Sequence, residues 1–173
     1  MTDWSSELTT HSGFKFFVRT ARPDDAVALR EFFEHVTPED LRFRFLTSVT
    51  EVGPERLAQM TRVDHRETES FVAYEVEGGP FIGSAMFACD SDLETGEVAV
   101  SISADYKNRG IGWELLGHVT RYAEAKGVTR LVSLEDRSNV SAIQLEREMG
   151  FTSSAYPGDS TLVLLEKTLT SPI

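Results

Sequence analysis

The 173-residue chain has a single cysteine, Cys89, which excludes an internal disulfide and any thiolate cluster for a metal and fits a reducing, cytoplasmic compartment. A catalytic thiol would need a histidine and an orienting group beside it. Cys89 instead closes an apolar, strand-like run from residue 81, the place of a buried structural thiol. His11, His35, His65 and His118 are scattered with no pair at ligand spacing, so no metal is expected. No apolar run approaches the length that crosses a bilayer, and residues 1–13 have neither the basic start nor the apolar centre of a secretory signal. The expectation is therefore no membrane, with residues 1–14 a flexible tail before one domain over 15–173. Positive charge is also scarce. Seventeen lysines and arginines against 28 acids leave a formal net charge of −11, which argues against general binding to nucleic acid and favours basic partners. What is present in ordinary amount is core material, with 40% hydrophobic residues.

The stretch that organises the chain runs from residue 97 to 112. Glu97, Ala99, Ser101 and Ser103 alternate with Val98, Val100 and Ile102, the period of a strand with one buried face. Lys107, Asn108, Arg109, Gly110, Ile111 and Gly112 follow as a turn, and Ile111, Leu115, Leu116, Val119, Tyr122 and Ala123 then recur at helical spacing. That order has a chemical use. The first N–H groups of a helix lack internal partners and lie at the positive end of its dipole, so glycines at 110 and 112 would let a phosphate reach the backbone. Lys107 and Arg109 would add positive charge beside it. The same glycines also suit a tight strand-to-helix turn for steric reasons alone.

Further strands are expected at 16–20, 70–76, 81–89, 130–135, 151–156 and 161–169. Helix starts are marked by Pro23 with Asp24 and Asp25, by Thr37 as cap with Pro38 and Asp40, by Pro54, and by Ser138 and Asn139 before a helix that ends at Gly150. Residues 41–46 alternate like a strand, but the start signal before them predicts a helix. Arg42 reads as surface charge, Arg44 as surface or cleft, and Tyr106 and Trp113 as packing residues.

In its order of elements the chain resembles the GNAT superfamily of acyl-CoA-dependent N-acyltransferases. Their phosphate loop, Gln/Arg-x-x-Gly-x-Gly/Ala, stands here as Lys107 to Gly112, and their second landmark, an asparagine and a helix ending in Gly-Phe, as Asn139, Ala142, Leu145, Gly150 and Phe151. A narrower resemblance, to the acetyltransferase domain of bacterial Pat-type protein lysine acetyltransferases, is carried by Thr37-Pro38-Glu39-Asp40-Leu41 with Arg44-Phe45, by Val63-Asp64-His65-Arg66-Glu67 and by Glu97-Val98-Ala99-Val100. The resemblance implies an α/β (α+β) fold, its central mixed, mostly antiparallel sheet of about seven strands flanked by about four to five helices. It implies acetyl-CoA as cosubstrate and direct transfer of acetyl to a primary amine, a protein lysine first.

By the same resemblance Glu97 is the general base and the backbone from Asn108 to Gly112 holds the pyrophosphate. An N–H near Val98, Ala99 or Val100 polarises the thioester, and Asn139 contacts the CoA arm where it does not simply cap its helix. The arm itself would run between the strands of Glu97 and of residues 130–135. There are departures from the family pattern. Lys107 keeps a cation but loses the planar fork of arginine, and Ala104 stands where many members have proline. Glu146 occupies the position of a tyrosine held to protonate the departing thiolate, so that acid is unassigned. The alternatives are a small-molecule acceptor (polyamine, amino acid or aminoglycoside) and a non-catalytic acyl-CoA sensor, which needs no base at Glu97. A homodimer is compatible with all three.

Overall fold

Proline marks the start of each of the first three helices. In the computed structural model, which describes residues 4–46 and 51–169, a short turn of 3-10 helix at Pro23–Asp25 runs into α1 (Ala26–Glu34). Asp25 locks this turn by accepting from the Arg22 N–H at 2.7 Å and pairing with Arg19 at 2.8 Å. Thr37 caps α2 (Pro38–Phe45), its hydroxyl accepting from the Asp40 N–H at 3.1 Å, and Pro54 opens α3 (Pro54–Thr61). The cap therefore decides residues 41–45 against their strand-like alternation. Residues 1–3 of the expected tail and 170–173 of the expected domain lie outside the described residues.

The strands are β1 (Ser6–Thr9), β2 (Lys15–Thr20), β3 (Thr68–Tyr74), β4 (Phe81–Cys89), β5 (Thr95–Ile102), β6 (Arg130–Asp136), β7 (Thr152–Ala155) and β8 (Leu162–Thr168). They form one sheet of eight in the order β1-β2-β3-β4-β5-β6-β8-β7. Every neighbouring pair is antiparallel except β5 and β6. The strand beyond expectation is β1, and it corrects the reading of residues 1–14 as a flexible tail. Ser6 to Thr9 pair with Val18 to Lys15, Leu8 is buried, and Trp4 sets edge-on against His118 and Tyr122 while its carbonyl accepts from His118 Nε2 at 3.0 Å. A four-residue edge strand is too short to carry a periodic signal, and what holds it is contact with distant residues.

Two more helices, α4 (Ile111–Ala125) and α5 (Val140–Glu148), share one face of the sheet, over a core that includes Phe16, Phe71, Phe87, Leu115 and Leu131. On the other face α1, α2 and α3 bury Leu29, Phe32, Leu41, Leu57 and Met60 against Val72 and Phe81. Within β5, Gly96 lies directly under the buried ring of Phe87, where a Cβ would stand 2.7 Å from Phe87 Cζ. Gly96→Ala should therefore destabilise the fold by about 1–3 kcal/mol, as overpacking does, seen as a lower denaturation midpoint with an unchanged m-value. A midpoint equal to wild type would show that the ring can move aside without cost.

Candidate active site

The parallel pairing of β5 with β6 runs only from Thr95 opposite Arg130 to Glu97 opposite Val132. Beyond that point β5 stays with β4 as far as Ile102, and β6 stays with β8 as far as Asp136. A wedge opens between them. Residues 98–102 form one bank and 133–135 the other, and the parted edge of β5 offers backbone N–H and C=O groups that no strand takes up. The wedge continues over the turn before α4 as a cleft of about 300 Å³, with Asn139, Ala142, Leu145 and Glu146 on the α5 side and Asp40, Phe43 and Arg44 on the α2 side.

Of the expected cofactor-binding residues, Val98, Ala99, Val100, Lys107, Asn108, Gly110, Ile111, Gly112 and Asn139 line this cleft. Asn108 (φ 63°) and Gly110 (φ 87°) are both left-handed, which turns the chain sharply into α4. The helix has no side-chain cap, and its first bond runs from the Glu114 N–H to the Gly110 carbonyl at 3.2 Å. The N–H groups of Ile111, Gly112 and Trp113 are thus without helical partners at the positive end of the dipole. The two glycines differ. A Cβ at Gly110 would press on Thr10 at 3.2 Å, whereas at Gly112 it would make an ordinary 3.7 Å contact with Leu145.

The cations expected beside the loop are arranged otherwise. Lys107 faces the cleft already paired with Asp40 at 2.7 Å. Arg109 does not line it, for its guanidinium lies over the rings of Tyr106 (4.8 Å) and Phe14 (5.8 Å). Arg42 pairs with Asp136 at 3.2 Å, tying α2 to the end of β6. Arg44 lines the cleft, and burial pushes its guanidinium down to about 10 against the pull of Glu97 and Glu135. Tyr106 and Trp113, expected as packing residues, both reach the cleft wall.

Glu97 stands on β5 at the last paired position before the wedge, exposed, at the margin of the cleft and outside its lining. Asn139 occupies the N-cap position of α5 but makes no cap bond; its Nδ2 donates instead to Glu135 Oε2 at 3.2 Å. Ser133 Oγ donates to the other oxygen, Glu135 Oε1, at 2.8 Å. Beside Glu135 lies Glu146, only 5% exposed, whose Oε1 is buried without a hydrogen-bond partner. Burial first, and then the neighbouring Glu135, pushes the Glu146 carboxyl up to about 9, and burial also raises Glu135. This pairing was not visible in the sequence, although an acid on the apolar stripe of Ala142, Leu145 and Met149 was its one local signal. Cys89 is half-buried, its Sγ donates to the Arg66 carbonyl at 3.8 Å, and burial raises its thiol.

The profile of the acetyltransferase (GNAT) family matches residues 29–151, which takes in the wedge, the loop and α5. The chain belongs to this family. It is an acetyl-CoA-dependent acetyltransferase by that membership. Acetyltransferase PA5475 of Pseudomonas aeruginosa is 29% identical over 154 residues, which are 88% of this chain and 83% of that protein. The GNAT domain of S. lividans PAT superposes with a TM-score of 0.90 at 22% identity over 98% of this chain and 99% of that one. Spermidine N-acetyltransferase from Vibrio cholerae, in complex with CoA and spermine, reaches 0.72 at 13% identity over 88% and 95%. The GNAT fold expected from the sequence is therefore the fold observed, with eight strands and five α-helices. Among the described residues no helix is long and apolar enough to cross a membrane, and no group of three or more His, Cys, Asp or Glu could hold a metal.

The raised Glu146 carboxyl links stability to pH. The folded chain keeps this proton up to about pH 9 while the unfolded chain releases it near the ordinary 4.5, so the folded state binds more protons throughout that window and loses stability as pH rises through it. Glu146→Gln removes the titration. Its melting temperature should match wild type near the acid end and exceed it increasingly toward pH 9, and parallel curves would show that Glu146 is already ionised at neutral pH.

Proposed function

We propose that the protein transfers the acetyl group of acetyl-CoA directly to the amine of a protein lysine, with Glu97 as the base. The observation that carries the reading is the position of Glu97, an exposed acid where β5 and β6 part, at the inner end of a wedge that ends over a helix N-terminus. The pyrophosphate lies on the open N–H groups at the start of α4, where the dipole favours negative charge. The pantetheine follows the parted edge of β5, and an N–H from Val98 to Val100 polarises the thioester carbonyl. An ammonium has no lone pair for attack, so a base must first take its proton, and a carboxylate open to solvent can do so directly or through one water. Attack then forms the C–N bond, the nitrogen gives its second proton to solvent through the same carboxylate, and the C–S bond breaks to expel the CoA thiolate. Cys89 stands outside the cleft lining with its thiol raised by burial, so the transfer runs without an acyl-enzyme.

A lysine on a folded protein is favoured by the exposure of Glu97, by the net charge of −11, which attracts basic segments, and by the near full-length likeness to the GNAT domain of S. lividans PAT. An acyl-adenylate-forming CoA ligase is the first protein to try, on the Pat-type resemblance. Free polyamine is the second reading, since the V. cholerae neighbour binds spermine and the same charge would attract it.

Labelled acetyl-CoA offered with folded proteins, spermine and aminoglycosides separates these readings by catalytic efficiency and by mass spectrometry of the acetylated sites. Far higher efficiency on a free amine would replace the lysine reading. In the favoured acceptor Glu97→Gln should bind acetyl-CoA normally but slow single turnover about 100- to 10,000-fold at neutral pH. The defect should shrink as pH rises and the amine arrives deprotonated; a normal rate at neutral pH would move the base elsewhere. Gly112→Asp should raise the acetyl-CoA Kd at least about tenfold by calorimetry. An acid in the first turn suits the helix dipole, so the variant should fold, and unchanged affinity would overturn the phosphate assignment.

A further inference from the structure

Glu135 and Glu146 have no part in the chemistry above, yet both line the same cleft as Val98 and Val100. Both oxygens of Glu135 are occupied, by Ser133 Oγ at 2.8 Å and Asn139 Nδ2 at 3.2 Å, and Arg44 faces it from α2. Those contacts suit a carboxylate that keeps its charge. Glu146 is in the opposite condition, for it is buried, its Oε1 meets no partner, and its neighbour is that carboxylate. A second charge there would be desolvated and repelled at once, so the pair holds one proton and Glu146 carries it. Among the described residues only the Ser133 hydroxyl favours a charge on Glu146, and no cation compensates it. On the strands under α5, Ser153 of β7 bonds Arg147 and Lys167 of β8 bonds the Met149 carbonyl.

We propose that Glu146, buried in the cleft wall beside Glu135, donates its proton to the sulfur of CoA as the thioester breaks. The inference rests on the reading of the wedge as the thioester site. The amine forms its C–N bond and loses its proton to Glu97; the tetrahedral intermediate collapses, the C–S bond breaks and its electron pair goes to sulfur. Sulfur takes the proton from the Glu146 hydroxyl, leaving a doubly charged pair that regains one proton from water. Glu97 passes both nitrogen protons to solvent, the one lost before attack and the one lost after it, while the pair takes one back, so each turnover of an ammonium yields amide, CoA thiol and one net proton in solution. The match in acidity supports this step. A thiol ionises near about 8.5, and an acid that releases its proton at about 9 can pass it to a thiolate with little cost either way.

Glu146→Gln keeps the size and an N–H but cannot release a proton. In single turnover at saturating acetyl-CoA between pH 6 and 10 it should bind acetyl-CoA as wild type does, react about 100-fold slower or worse, and lack the alkaline fall in rate. Glu135→Gln removes the charge that holds the proton, so the alkaline fall should move to lower pH, which a merely structural pair would not produce. Infrared difference spectra of the protein without ligand should show a protonated carboxyl at neutral pH that disappears in Glu146→Gln, a readout independent of turnover. A wild-type rate in Glu146→Gln, an unmoved alkaline limb in Glu135→Gln, or no protonated carboxyl at neutral pH each overturns the donor assignment. Failure of the underlying cleft reading looks different. Glu97→Gln and Gly112→Asp would then leave transfer and binding intact, whereas failure of the donor alone leaves those two impaired and Glu146→Gln active.

Discussion

Two parallel strands that part after three paired positions set everything else in this molecule. Each strand has a stronger claim on it than its parallel neighbour, β5 from β4 and β6 from β8, through antiparallel ladders that continue past the point where the two separate. Sheet twist and those competing ladders carry the strands apart, and the backbone groups exposed on the parted edge of β5 face a cleft in place of another strand. The same divergence leaves room for α2 to reach the wedge from one face of the sheet and α5 from the other.

The chain is strongly acidic, and among the described residues both cations of the loop are already engaged. Lys107 is paired with Asp40, Arg109 lies over two aromatic rings, and Arg44 feels the charge of both Glu97 and Glu135. In the proposed complex, attraction for phosphate falls to the backbone of the loop and the first turn of α4, which act at short range and do not depend on the net charge of the surface. A long-range negative field can then draw a basic acceptor while the cofactor is held locally. The acids are also divided by environment, with Glu97 open to water at the margin and Glu146 dry inside the wedge. Burial, and then the charge of Glu135, sets Glu146 apart from an acid of the same type that stands in water.

Family membership and fold extend over most of the chain, and the likeness to the GNAT domain of S. lividans PAT is nearly complete in length. Acceptor choice is a different property. At 22% and 13% identity the same fold is shared by a PAT domain and a spermidine acetyltransferase, so the fold does not by itself choose an acceptor.

What the sequence determined by itself was local. Thr37 and Pro38 specified a helix start, alternation marked β5, the two glycines marked the turn into α4, and Asn139 with Gly150 and Phe151 marked α5, because caps, turns and periodicity act within a few residues. What the tertiary structure decided lies between residues far apart in the chain. Ser6 to Thr9 became a strand because Trp4 and Leu8 found buried partners, Gly96 became the glycine with least room for a side chain because Phe87 lies on it, and Lys107 was paired with Asp40. Asn139 stood where a helix cap belongs and was drawn instead to Glu135. Glu135 and Glu146 each look like ordinary surface acids in the sequence. They become a proton-holding pair only when β6 and α5 fold together, since desolvation and charge repulsion are properties of the assembled interior that no sequence period encodes.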